Sequence, residues 1–112
     1  MHQYLFIETR DPFEVPDVEQ VHELAEKLTK EGDEVTLYLV QNAVLAARSG
    51  HSKTTLFEKL SASGKVKILV DDYSLAERGI EKEEINPAIM KISNMENLVD
   101  LLMVENQRAI WC

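Results

Sequence analysis

Val66-Lys67-Ile68-Leu69-Val70-Asp71-Asp72-Tyr73-Ser74-Leu75-Ala76-Glu77-Arg78-Gly79-Ile80 is the stretch that decides the fold. Val66–Val70 is a short run of β-formers and predicts a strand. Asp71-Asp72-Tyr73 reads as the loop after it. Ser74–Arg78 predicts a short helical turn, capped by Ser74 and Glu77 and stopped by Gly79. A strand that passes into a helix within three residues is half of a βαβ unit.

The same grammar repeats in both directions. Tyr4–Glu8 predicts strand one, followed by the proline-punctuated loop Arg10–Pro16. Asp17 reads as an N-cap with Gln20 completing a capping-box variant, and Val18, Val21, Leu24, Ala25 and Leu28 follow at helical spacing until Gly32. Val35–Val40 predicts a second strand, apolar enough for burial on both faces. Gln41-Asn42 ends it, and Ala43–Arg48 reads as a short helix closed at Gly50. Thr54–Leu60 reads as a helix ending near Gly64. Beyond Ile80, a polar loop Glu81–Pro87 leads to a short run Ile89–Ile92. Ser93 and Glu96 form a capping box for a helix through Leu98, Val99, Leu101 and Leu102, and Arg108–Trp111 is the last strand.

Strands alternating with helices imply a three-layer α/β sandwich with a mostly parallel sheet of four or five strands. With 112 residues, 1–112 reads as one domain. In such sheets the working groups lie at the carboxyl ends of the strands. That rule selects Glu8–Asp11, Gln41-Asn42, Asp71–Ser74 and Cys112.

Composition narrows the partners. Twelve basic residues against twenty acidic ones, a net charge of −8, disfavour a phosphate backbone, so no nucleic-acid role is expected. No apolar run approaches the roughly 20 residues that span a bilayer, so no membrane role is expected. Met1–Glu8 lacks the basic start of a signal peptide, and a single cysteine makes no internal disulfide. Both fit a reducing, cytoplasmic setting.

No Gly-x-Gly-x-x-Gly or P-loop pattern occurs, and the acidic loop after strand one repels phosphate, so no nucleotide cofactor is expected. A phospho-receiver reading of Asp71 fails for want of a carboxylate cluster and of a lysine at the last strand. His2, His22 and His51 share no ligand spacing; each reads as a surface or boundary histidine, and no metal is expected. Cys112 is the only thiol and hence the only possible sulfur nucleophile, although a neighbouring α-carboxylate would raise its pKa. Arg78-Gly79 reads as a helix stop with arginine at the negative helix end, Trp111 as an anchor against the sheet or a neighbouring subunit, and Asn42 as a residue that tolerates turn geometry.

Three stretches carry a resemblance: Leu39-Val40-Gln41-Asn42-Ala43-Val44-Leu45-Ala46-Ala47, Ile68–Ile80, and Leu98-Val99-Asp100-Leu101-Leu102 running to Ile110-Trp111. Their order and spacing resemble the DsrE/DsrF/DsrH (TusD/TusC/TusB) sulfur-relay family. The resemblance implies a small α/β fold that assembles into trimers, hexamers or complexes with related sulfur-relay subunits. It also implies that catalytic members hold a persulfide on a cysteine eight residues before the glycine of Arg-Gly. Counted back from Gly79, that position is Asp71, and a carboxylate cannot carry sulfane sulfur. The likeness leans to the DsrH/TusB type, whose subunits serve an assembly more than the transfer itself.

The resulting expectation is an auxiliary subunit in intracellular sulfur relay. The alternatives are a sulfurtransferase with its persulfide on Cys112, and a small-molecule-binding module. The pocket or interface residues would be Glu8, Arg10, Asn42, Asp71, Asp72, Arg78 and Trp111.

Overall fold

A computed structural model describes residues 2–10, 17–48, 54–62 and 65–111. Five strands, β1 (Gln3–Glu8), β2 (Glu34–Leu39), β3 (Val66–Asp71), β4 (Lys91–Ser93) and β5 (Gln107–Trp111), form one sheet in the order β4-β3-β2-β1-β5. Every pairing is parallel, with Phe6 opposite Leu37 and Ile110, Leu39 opposite Val70, and Asp71 opposite Ser93. The expected α/β sandwich is therefore present, with the sheet wholly parallel and at the larger of the two strand counts.

Alternation along each strand sorts side chains to two faces. On one face Phe6, Val35, Leu37, Leu39, Ile68 and Val70 pack beneath α1 (Asp17–Lys30), α2 (Thr54–Ala62), α3 (Asp72–Glu77) and the 3-10 helix Gln41–Ala47. On the other face Leu5, Ile7, Tyr38 and Val40 meet Leu98 of α4 (Met95–Leu102). Among the described residues one helix covers a face that four helical segments cover on the other side. At the sheet edge β5 is exposed on both faces: Arg108 and Ile110 lie on the face of Phe6, Ala109 and Trp111 on that of Leu5 and Ile7, and all four are exposed.

Two expected helix stops are realised through the same device. Gly32 has φ +92° and Gly79 φ +66°. The amide of Asp33 reaches the Leu28 carbonyl and that of Ile80 the Leu75 carbonyl, while Gly32 and Gly79 donate to Thr29 and Ala76. These paired bonds define Schellman ends, where glycine takes the left-handed conformation that side chains resist. Leu75 and Ile80 are both buried in the larger core, which supplies the apolar contact that accompanies the motif.

Several boundaries differ from the sequence expectation. Asp71, not Ser74, is the N-cap of α3, and its side chain accepts from the Ser74 amide. Asn94 replaces Ser93 as the cap of α4, accepting from Asn97, because the helix starts one residue later than the Ser-x-x-Glu pattern suggests. The loop Glu81–Pro87 contains a 3-10 turn, Lys82–Glu84, closed by a capping box between Glu81 and Glu84. The run Ile89–Ile92 yields strand only from Lys91. The stops at Gly50 and Gly64, the loop 11–16, the side chain of Asp17 and Cys112 lie outside the described residues.

Candidate functional site at the carboxyl ends of the strands

β3 ends in Asp71, and this residue organises the centre of the sheet's carboxyl edge. Its carboxylate is 2% exposed. Oδ2 accepts from the Ser74 amide at 2.9 Å and the Ser74 hydroxyl at 2.8 Å, while Oδ1 accepts from the Tyr38 hydroxyl at 3.0 Å. The Ser74 hydroxyl in turn accepts from the Gln41 amide at 2.9 Å. Gln41 has φ +53°, so the left-handed turn after β2 falls on Gln41 rather than on Asn42. The network therefore ties β2, β3, α3 and the 3-10 helix together through one buried carboxylate. Asp71 is a buried helix cap whose carboxylate accepts from three donors, as burial demands.

Tyr38 sits fully buried beside this carboxylate. Burial pushes its phenol above the usual tyrosine range, and the hydrogen bond to Asp71 adds to the effect, with a Ser93 hydrogen bond pulling the other way. Both oxygens of Asp71 are engaged by the fold itself.

Asn42 and Arg78 form the outer layer. The Asn42 side-chain oxygen accepts from Arg78 Nε at 3.2 Å and Nη2 at 3.1 Å, and Arg78 Nη1 donates to the Ser74 carbonyl at 3.2 Å. Arginine at the end of α3 thus does meet a late helical carbonyl, and it also clamps α3 to the 3-10 helix. Asp72 is exposed, its Oδ1 accepting from the Tyr73 amide. Trp111 is 63% exposed on β5, so within the chain it does not act as an anchor against the sheet.

Glu8 does not join this group. By alternation it projects to the face of Tyr4 and Phe6, opposite to that of Tyr38 and Asp71. There it meets His22 of α1, with Glu8 Oε1 and His22 Nε2 2.6 Å apart. Both side chains are buried, at 1% and 5% exposure, and the ring lies tilted 60° to Phe57 with centroids 5.0 Å apart. Glu8 Oε2 and His22 Nδ1 have no hydrogen-bonding partner among the described residues. His22 is therefore a core residue and not the surface or boundary histidine expected. Its polarity suggests exposure, but the packing of α1 on β1 buries it. Its spacing from Ala25 and from Thr29, also buried, already placed it on the inward stripe.

The selected residues consequently separate into two clusters on opposite faces, with Arg10 exposed beyond β1. Glu8 joins His22, whereas Asn42 and Asp71 are linked through Arg78 and Ser74. Among the described residues no three His, Cys, Asp or Glu side chains converge to hold a metal ion, and no helix is long and apolar enough to cross a membrane.

This wholly parallel sheet, with its third strand ending in a helix cap and Arg-Gly closing that helix, defines a three-layer α/β sandwich with a polar network at its carboxyl edge. The DsrE/DsrF-like family model matches residues 2–108, and the chain belongs to that family. No curated protein matches by sequence. The ychN protein from E. coli is similar in fold, with TM-score 0.81 and 16% identity over 98% of this chain and 100% of that one. So is MTH1491 from Methanobacterium thermoautotrophicum, with TM-score 0.77 and 15% identity over the full length of both.

Proposed function

We propose that this DsrE/DsrF-like chain is an auxiliary subunit of an intracellular sulfur-relay assembly and does not itself carry the transferred sulfur at the end of β3. The observation that carries the reading is Asp71. It occupies the place where the resemblance puts a persulfide cysteine, and both its oxygens are committed to Tyr38 and Ser74. A subunit in this state contributes surface and shape. The exposed Met95, Val99, Met103 and Trp111 favour association, as a homo-oligomer such as a trimer or hexamer or with related subunits.

The test has two arms. Incubation with a sulfane-sulfur donor should leave the intact mass unchanged, and light scattering should give a species larger than one chain. A gain of about 32 Da per persulfide on the wild-type chain, or a strict monomer that recovers no related subunit, would overturn the reading.

A second reading has one observation in its favour. Trp111 pairs with Ile7, so β5 runs to the same carboxyl edge as Glu8, and the next residue in sequence is the only thiol, Cys112. A sulfurtransferase working through that thiol would gain the mass, and Cys112→Ser would abolish the gain.

A further inference from the structure

The helix α4 is amphipathic in an unusual sense, because both of its flanks are apolar. Leu98 is buried and Leu101 partly buried against the sheet. Away from the sheet, Met95 is 54% exposed, Val99 51%, Leu102 40% and Met103 81%. Residues 95, 99, 102 and 103 follow the i, i+4, i+7, i+8 spacing of a single helical stripe. A soluble chain that leaves such a stripe in water forgoes the gain from burying it.

Charge on the stripe is one-sided. The segment Asn94–Asn106 contains Glu96, Asp100 and Glu105 and no lysine or arginine. Beside the helix, the same sheet face lies open over β3 and β4 and forms a groove of about 460 Å³, lined by Thr36, Lys67, Leu69, Lys91, Asn97 and Leu101 among others. Lys67 and Lys91 are both exposed, and their alternation with Leu69 puts them on the α4 side of the sheet. An apolar stripe flanked by acids therefore stands next to an apolar groove flanked by lysines.

We infer that two copies of this chain pack face to face through α4, each seating its Met95–Val99–Met103 stripe in the other's groove, with Glu96 and Asp100 meeting Lys67 and Lys91. The match of charge between helix and groove selects a second copy as occupant, since one chain carries both halves. A two-fold axis uses each half twice, the isologous arrangement that closes without open ends. The inference rests on the proposed assembly role and adds the surface that performs it.

Val99→Glu and Met103→Glu change exposed positions, so circular dichroism should show the wild-type fold. Sedimentation over a concentration series should show self-association weakened by about thirtyfold for Val99→Glu, in the range of a buried interface anchor. The pair Lys67→Glu/Lys91→Glu should weaken it as well. Mixing that variant with Glu96→Lys/Asp100→Lys should restore a dimer that neither forms alone. An oligomer indifferent to all of these substitutions overturns the inference and leaves the assembly role standing. So does a chain that pairs through α4 only with a related subunit. A strict monomer with no subunit partner overturns both.

Discussion

Removing the Asp71 carboxylate should cost the fold about 3 kcal/mol, and the structure says where that comes from. Asp71→Ala deletes the N-cap of α3, worth about 1 kcal/mol. It also strips the buried Tyr38 and Ser74 hydroxyls of their shared acceptor, worth about 1–3 kcal/mol while they remain buried. For a chain of this length, about 4 °C per kcal/mol gives a fall of roughly 12 °C in melting temperature. Asp71→Asn keeps one side-chain oxygen and the capping ability of asparagine, so it should cost nearer 1 kcal/mol. Tyr38→Phe should also cost about 1 kcal/mol, because Asp71 keeps its two Ser74 donors. Urea unfolding of the two singles, Tyr38→Phe and Asp71→Ala, and of their double gives the coupling directly, expected at about 1 kcal/mol. Additive effects, or an Asp71→Ala chain within about 0.5 kcal/mol of wild type, would refute the claim that this carboxylate is a structural keystone.

Three further outcomes follow from named contacts. Glu8→Leu or His22→Leu alone should destabilise by about 3 kcal/mol by stranding a buried polar partner, while the double should cost clearly less than the sum in urea titrations; strict additivity would count against a coupled pair. The raised phenol pKa of Tyr38 means that the folded state holds a proton the unfolded chain releases near pH 10. Its contribution is complete below that pH and is lost as pH climbs beyond it, so between about pH 10 and 12 the wild type should lose stability faster than Tyr38→Phe; parallel curves would refute this. At the left-handed residues Gly79 and Gln41 the signs should oppose. Gly79→Ala meets no atom within 4 Å and should cost only the conformational term, about 1 kcal/mol, whereas Gln41→Gly should gain about 0.5 kcal/mol in the same thermal assay.

The frame of the fold was legible because it depends on local signals. Short β-forming runs marked the strands, and Gly32 and Gly79 marked helix ends that the structure builds as Schellman motifs. Strand parity also held enough information to separate Glu8 from Asp71, because the two lie on strands whose inward residues are known. What was not legible is which polar residues are buried. Tyr38 reaches Asp71, and Gln41 reaches Ser74, across 33 residues of sequence, and no local pattern encodes such a pairing. His22 was legible in principle from its place on the stripe of α1, and Glu8 from its parity with Tyr4 and Phe6. The match between them needed the packing of α1 against β1.

The chemistry of position 71 bears on what kind of protein this is. A carboxylate retained there by accident would have few donors, and its burial would then be a defect. Instead three donors from two residues, Ser74 and Tyr38, engage both its oxygens, and Ser74 in turn holds the Gln41 amide. A thiol has no pair of oxygens with which to accept those bonds. One substitution to cysteine would therefore install a nucleophile and undo the local fold together. The carboxyl edge of β3 is built around its carboxylate.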